Sequence, residues 1–294
     1  MKIYDCTTFY SEDMMLDIRF NVLNEFVYKF IIIESLYSHS GKKKKLNFNI
    51  NNYPKFKDKI IYLVIEHEPE NLIKSDLDLK QYEKRINSLK RIDLSYEYMN
   101  KGIKDATDED LIILSDNDEI PNLNSNLFKK TNKNIIIFKQ LLFYYKFNLL
   151  YDGMSWFGSK ACKKKYLKSF SWLKHIKNKS YPFWRLDTYF SGLKNINLQI
   201  VNDGGWHFTN IKSPKDLLQK MQNFGHHDEF DASGLTQDDL EKKIESKKVF
   251  YNHLVDKSEV DKWTFDYELK KINDELLPNY LIENKNNYKK WFDL

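Results

Sequence analysis

Cysteine is nearly missing: Cys6 and Cys162 are the only two in 294 residues, and neither has CxxC or Cys/His spacing. That excludes a disulfide framework and a thiolate zinc site, and it fits a reduced compartment. Glycine and proline are sparse too, at 9 and 6, and no internal repeat or low-complexity linker is visible. Long apolar runs are also lacking. The opening MKIYDCTTFYSEDMM has no stretch of signal-peptide length, and no later segment reaches the ~18 to 20 apolar residues that span a bilayer. The reading is a soluble, cytoplasmic chain with no transmembrane segment.

Hydrophobic residues make up 41% and charged residues 30%, so the chain can build a core and is expected to fold. The net charge of +5 is the small difference between 47 basic and 42 acidic side chains, interspersed along the sequence. Such a balance argues against nucleic acid as the partner.

Ile3 to Phe9 is rich in β-formers, and Ser11, Glu12 and Asp13 then signal a helix start, with Met15, Ile18, Val22 and Phe26 on one face. Three short apolar runs follow: 28–33, Ile60 to Ile65, and Leu111 to Leu114. Each is too short for a helix and, but for Lys29 near the start of the first, continuously apolar, which is the pattern of strands buried on both faces of a parallel sheet. Between the last two, Tyr82, Ile86, Leu89, Ile92, Tyr96, Met99 and Ile103 keep helical spacing, with Gly102 near the end, as a crossover helix requires. After Pro121 mixed strands are expected at Ile135 to Phe138 and Leu141 to Tyr145, then aromatic-rich loops. Ser213, Pro214 and Asp216 cap a further helix that Gly225 ends. The lysine-rich last third, anchored by Phe250, Leu254, Trp263, Tyr267 and Leu276, reads as helices on the outside.

The strongest local signal is Ser115-Asp116-Asn117-Asp118-Glu119-Ile120-Pro121. It sets two carboxylates two residues apart at the carboxyl end of a buried strand, and an extended segment would point both to one side. Oxygen ligands suit Mg2+ or Mn2+, and open α/β sheets bind ligands at the carboxyl ends of their strands, so this is a site for a metal bridging a diphosphate. The competing reading is a solvated acidic turn. A second signal is Asp203-Gly204-Gly205-Trp206-His207-Phe208, where paired glycines allow close backbone approach, Trp206 offers a stacking face and His207 a metal or phosphate partner. Its competing reading is a bulge with Trp206 and His207 in the core. His226-His227-Asp228, after the capped helix, is a structural or a catalytic group. The run Lys42 to Lys45 is solvated surface or a loop near a phosphate.

The blocks Tyr4-Asp5-Cys6, Phe30 to Glu34 with His39 to Lys42, Ser115 to Pro121, and Gly204 to Phe208 with Lys220-Met221 and His226 occur in an order that resembles glycosyltransferase family 17. That is the family of the β-1,4-mannosyl-glycoprotein β-1,4-N-acetylglucosaminyltransferases. The resemblance runs from about Tyr4 to about Asp228. It implies a GT-A-like fold, a UDP-sugar donor (UDP-N-acetylglucosamine) and inversion at the anomeric carbon. Asp116 and Asp118 inherit the metal role, Glu34 becomes a residue of the nucleotide pocket, and Arg91 faces the donor. Asn117 departs from the family, where a small apolar residue is usual, and the N-terminal anchor of the Golgi members is not seen.

The expected architecture is therefore α/β, a mostly parallel central sheet flanked by helices, plus C-terminal helices. A glycosyltransferase domain would cover 1–230, with its donor half at about 1–121 and its acceptor half at about 122–230, and 231–294 would form a helical extension packed on it. The expected activity is an inverting, metal-dependent transfer of a sugar, N-acetylglucosamine, to a hydroxyl of a glycan or glycoconjugate. Asp116, Asp118 and His207 would hold Mn2+ or Mg2+. Glu34, Arg91, Asp116, Gly204, Gly205, Trp206 and His207 would bind the donor. Asp203 is the first choice for the general base, with Glu119 and Asp228 as alternatives. Aromatic side chains between Trp156 and Trp206 would meet the acceptor. A phosphohydrolase or nuclease using the same acidic pair is the rival enzyme, and a basic nucleic-acid-binding module the non-enzymatic one.

Overall fold

The computed structural model describes residues 1–75, 78–253, 260–263 and 265–293; Leu254, an expected anchor, lies outside them. The first half contains β1 (Ile3–Phe9), α1 (Asp13–Leu23), β2 (Lys29–Ser35), β3 (Ile60–Ile65), α2 (Gln81–Gly102) and β4 (Leu111–Leu114). These strands lie side by side in the order β3-β2-β1-β4, all parallel, with Asp5 level with Phe30 on one side and Ile113 on the other. Parallel neighbours need crossovers: α1 joins β1 to β2, the 3-10 turns within 50–59 lie between β2 and β3, and α2 carries the chain from β3 across to β4. Ile31, Ile32, Ile33, Ile112 and Ile113 are almost completely buried, as continuous apolar strands demand.

The crossover helix differs from its sequence pattern in two ways. Tyr96, Met99 and Ile103 are buried, but Tyr82, Ile86 and Leu89 are exposed, while Asn87 and Ser88 are covered instead. Ser88 donates to the carbonyl of His39 at 2.9 Å, so this end of α2 holds a loop rather than the sheet. Gly102 is the last helical residue, and a Cβ there would collide with Ile31; it permits close helix–sheet contact rather than a left-handed stop.

The second half adds β5 (Glu119–Pro121), α3 (Asn126–Lys130), β6 (Ile135–Tyr144), β7 (Leu149–Leu150), β8 (Trp156–Lys163), α4 (Phe170–His175), α5 (Asp187–Phe190), β9 (Leu198–Val201) and β10 (Gly205–Thr209). β8 runs antiparallel between β4 and β6, β9 and β10 lie parallel to β6, and β5 is antiparallel to β10. The fold is thus α/β, a large central sheet flanked by helices, parallel through its first half and mixed beyond β4.

The remainder comprises α6 (Pro214–Met221), α7 (His227–Ser233), α8 (Gln237–Glu245), β11 (Lys248–Val249), β12 (Tyr267–Glu268), β13 (Lys270–Lys271) and α9 (Asn279–Glu283). β13 extends the main sheet through β7, so the C-terminal segment is not helical alone. Leu277, Leu281, Tyr288 and Phe292 join Phe147 and Phe208 in the main core. Lysine-rich composition hid these anchors. The capped helix starts as read, with Ser213 accepting from the backbone N–H of Asp216, but it ends at Met221, before the expected stop at Gly225.

Candidate active site

β1 has β2 on one side and β4 on the other, so the strand order reverses beside it, and open sheets leave a crevice at that point. A cavity of about 700 Å³ opens there, lined among others by Glu12, Lys44, Lys45, Asp118, Lys212 and Lys220.

The acidic segment is not extended. Glu119 N–H donates to the Asp116 carbonyl and the Glu119 carboxylate accepts the Asp116 N–H, both at 3.0 Å, which closes a turn. The turn sends the two acids to different partners. Asp116 meets Lys174 of α4 at 2.9 Å, whereas Asp118 lies 3.3 Å from His207 Nε2 and 3.4 Å from Lys220 Nζ, at the cavity wall. The expectation that both point one way fails because backbone pairing with Glu119 is stronger than the strand's continuation.

What holds this turn is a buried pair that sequence reasoning does not single out. Arg19 of α1 donates from Nε to Asp5 of β1 at 2.7 Å, and both side chains are fully buried. Its Nη1 reaches the carbonyls of Glu119 at 2.5 Å and Asp116 at 3.4 Å. A charged residue inside the apolar face of α1 and another inside a strand are the available signal. Unpaired, either would be costly, so the two residues and the acid turn form one unit.

Electrostatics separate the acids further. Burial alone would raise the Asp118 carboxyl, but Lys220 and His207 outweigh it and hold Asp118 well below the usual carboxylate range. Glu119 moves the other way: burial raises it, with Lys174 only partly offsetting that. Its carboxylate also accepts the indole N–H of Trp156 at 3.0 Å, so Glu119 is fixed from three sides. Lys174 keeps its proton despite burial because Asp116 and Glu119 face it.

His207 arrives by strand pairing. β10 lies against β5 with His207 opposite Glu119 and Gly205 opposite Pro121. The two glycines permit this packing: Gly205 has φ +106°, and a Cβ on Gly204 would stand 2.5 Å from the backbone of Lys139. Alternation along β10 then sends Trp206 away from His207, its indole N–H donating to the Leu276 carbonyl at 2.6 Å. The face against His207 is Trp156, with ring centroids 4.4 Å apart, and His207 Nδ1 is buried without a protein partner among the described residues.

Asp203, Gly204, Gly205 and Trp206 line a different cavity, of about 790 Å³, and Asp203 accepts from Asn122 at 2.9 Å. Glu34 is fully buried and accepts from Lys44, from the backbone N–H of Asn47 at 2.8 Å and of Phe48 at 3.1 Å, and from Tyr62 at 2.8 Å. It anchors the loop that carries Lys44 and Lys45 to the cavity. Arg91 pairs with Glu68 at 2.6 Å and donates to the His39 carbonyl at 3.2 Å, behind the Gly41 turn. Asp228 is buried with Oδ1 unpartnered among the described residues, near Arg85, which also contacts His226 at 3.2 Å.

The donor set suits a hard cation in a limited way. Asp118 and His207 face each other at the cavity, but no three His, Cys, Asp or Glu side chains converge among the described residues. A divalent ion held there would complete its shell with water and ligand oxygens, the usual habit of Mg2+ beside phosphates.

No curated protein matches this chain. Among solved structures it is similar to HddC from Yersinia pseudotuberculosis, crystallised in complex with GMP-PN. Identity is 10%, covering 74% of this chain and 97% of that chain, and the TM-score of 0.34 is too low for the likeness to bear on fold or function. The sequence is more telling: residues 1–179, more than half of the chain, match glycosyltransferase family 17, and the chain belongs to that family.

Proposed function

We propose that this glycosyltransferase has a GT-A-type fold and transfers N-acetylglucosamine from UDP-N-acetylglucosamine, with inversion, to a hydroxyl of a glycan or glycoconjugate, assisted by Mn2+ or Mg2+. The observation that carries the reading is Asp118, held ionised at the carboxyl end of β4 in a cavity where Lys44, Lys45, Lys212 and Lys220 gather. A cavity that sets four lysines beside its acids Glu12, Asp13, Asp118 and Asp216 suits a diphosphate better than one lined by acids alone. Asp118 and His207 would hold the ion, with Asp116 second in line, and the ion supplies positive charge to the departing UDP.

The chain's own groups do the rest. Lys220 and Lys212 oppose the negative charge that builds on the leaving diphosphate. Trp156, locked on Glu119, keeps the His207 ring in place. Inversion needs a base on the acceptor side. Of the three candidates, Asp203 opens on the other cavity, Glu119 has its oxygens engaged, and Asp228 is buried near Arg85 with Oδ1 unpartnered among the described residues. Of the three tryptophans expected at the acceptor, Trp156 and Trp172 use their indole N–H groups inside the fold, and Trp184 stands exposed.

The test is thermal stability of the chain against a panel of nucleotide sugars with and without Mn2+, since a ligand of the folded state raises the midpoint by mass action. A shift confined to UDP-sugars, largest for UDP-N-acetylglucosamine and dependent on Mn2+, is expected. An equal shift with GDP-sugars, or none that metal alters, overturns the donor and metal assignments.

A further inference from the structure

Charge is not spread evenly along this chain. Residues 160–195 carry ten Lys or Arg and one acid, Asp187, a net of +9, so the rest of the chain sums to −4. The single acid is neutralised on the spot by Arg185, at 2.7 and 2.8 Å, and by Lys194. Lys168, Lys177 and Lys179 are exposed and have no carboxylate partner among the described residues.

Within this basic stretch the chain makes an excursion, tied at its base where Lys177 N–H donates to the Leu193 carbonyl at 3.0 Å and Ser180 bridges Asn195. Its tip folds on itself, with Thr188 donating to the Arg185 carbonyl at 2.6 Å and Tyr189 to that of Phe183 at 3.2 Å. Yet apart from an edge contact between Phe183 and Trp184, whose ring centroids lie 5.2 Å apart, its large apolar side chains stand open: Phe183, Trp184, Leu186, Tyr189 and Phe190 are 71, 68, 73, 63 and 91% exposed. Among the described residues outside this tip, Met1 at 76% and Tyr82 at 58% are the only large hydrophobic side chains more than half exposed. A cluster of this kind on a folded surface marks an interaction site.

We propose that residues 181–190 dock the protein on an anionic lipid bilayer. The aromatic and leucine side chains enter the headgroup region, and the surrounding cations face lipid charge. Tryptophan, tyrosine and phenylalanine beside lysine and arginine are the composition that settles at a membrane interface, and each basic side chain near an anionic leaflet adds attraction. A nucleic acid would use the cations and the rings but gains nothing from Leu186, and a protein partner of ordinary polarity would not call for so large an unbalanced charge. The excursion also adjoins the site: Trp172 of α4 donates to the Gly192 carbonyl at 2.7 Å, and Lys174 of the same helix holds Asp116. On the transferase reading, docking would therefore favour an acceptor glycoconjugate borne by lipid; the docking itself does not depend on that reading.

The full chain should be sedimented with vesicles of phosphatidylcholine alone and of phosphatidylcholine with phosphatidylglycerol, at low and high salt. Partitioning roughly tenfold or more in favour of the anionic vesicles, weakening with salt, is expected. The variant Phe183→Ser/Leu186→Ser/Phe190→Ser should lose vesicle binding while keeping its circular dichroism and its response to UDP, and Lys168→Glu/Lys177→Glu/Lys179→Glu should lose the preference for anionic lipid. No vesicle binding by the parent chain overturns the proposal, as does equal binding by parent and serine variant. So do duplex DNA binding that survives the serine substitutions and displaces the vesicles, and a concentration-dependent dimer that the serine substitutions abolish without affecting lipid. Loss of turnover with vesicle binding intact would count against the transferase reading alone.

Discussion

The two cavities at the ends of β10 are alike in size, about 700 and 790 Å³, and alike in acids, since Glu12, Asp13, Asp118 and Asp216 line one and Glu25, Asp203, Glu275 and Glu283 the other. They differ in cations. The first has Lys44, Lys45, Lys212 and Lys220, the second only Lys55. A diphosphate entering the second would meet four acids and one lysine, whereas in the first the lysines equal the acids in number, with Lys212 3.4 Å from Glu12 and Lys220 3.4 Å from Asp118. The first also lies where the parallel strands reverse order, and the second does not. The difference teaches that the Asp203 to His207 segment serves two places at once, His207 meeting Asp118 at the first cavity and Asp203 to Trp206 lining the second.

The largest effect expected from breaking this contrast is at Asp118. Asp118→Ala should lower kcat/KM by about a thousandfold or more, about 4 kcal/mol of lost transition-state stabilisation, and abolish metal-dependent UDP binding without unfolding the chain. UDP titration with and without Mn2+ checks it, and a variant with the parent's metal dependence would move the donor out of this cavity. Next comes the unit beneath the acid turn. Asp5→Asn leaves Arg19 buried without its counter-charge and should destabilise the chain by about 3–5 kcal/mol, read as a fall in the urea midpoint. A change under about 1 kcal/mol would mean that the pair does not hold the turn.

A paired substitution tests the two cavities directly. Lys220→Ala should raise the donor KM roughly tenfold, with a weaker salt dependence than the parent, because it removes one of four cations around the phosphates. Asp203→Asn should leave the donor KM within about twofold. If instead Asp203→Asn lowers kcat by about a hundredfold or more with donor KM unchanged, the acceptor enters the second cavity and Asp203 is the base.

These contrasts also mark where sequence reading stops. The first half of the sheet was legible because its strands are apolar runs, and Asp116 and Asp118 followed because carboxylates soon after such a run stand at the sheet's carboxyl edge. The division between Asp116 and Asp118 was not, since it depends on a turn closed by Glu119 and on Lys174, one lysine among many in a short Trp-containing helix. Asp203 and His207 are four residues apart and looked like one constellation. A positive-φ glycine and strand alternation send them to opposite ends of β10. Lys44 and Lys45 read equally well as solvated surface, and only the buried Glu34 beneath them decides where they go.

The smallest expected effect concerns pH and lies on the far side of Asp116, where His39 sits half-buried between α2 and the site. Burial pushes its pKa down to about 4; Asp116 pulls it up, while Arg85, Arg91 and His227 add to the lowering. Folded His39 is therefore neutral where the unfolded chain, near the ordinary value of about 6.5, already takes up a proton. Between these two values the unfolded state binds more protons, so stability rises with pH and is lost as pH falls from about 6.5 towards about 4. His253, lowered by burial to about 3, acts in the same direction and extends the window slightly. Asp118 cannot mimic this, because a depressed carboxylate loses its contribution only below the ordinary carboxylate range. Since His39 is partly open to solvent, about 1 kcal/mol between pH 7 and pH 5 is the expected share. Urea midpoints over that range should fall, and His39→Asn, which cannot be protonated, should flatten the slope without moving the midpoint at pH 7.5 by a comparable amount. A variant as pH-sensitive as the parent would show that His39 does not carry the dependence, which would then fall to His253 and the other groups that change their proton affinity on unfolding.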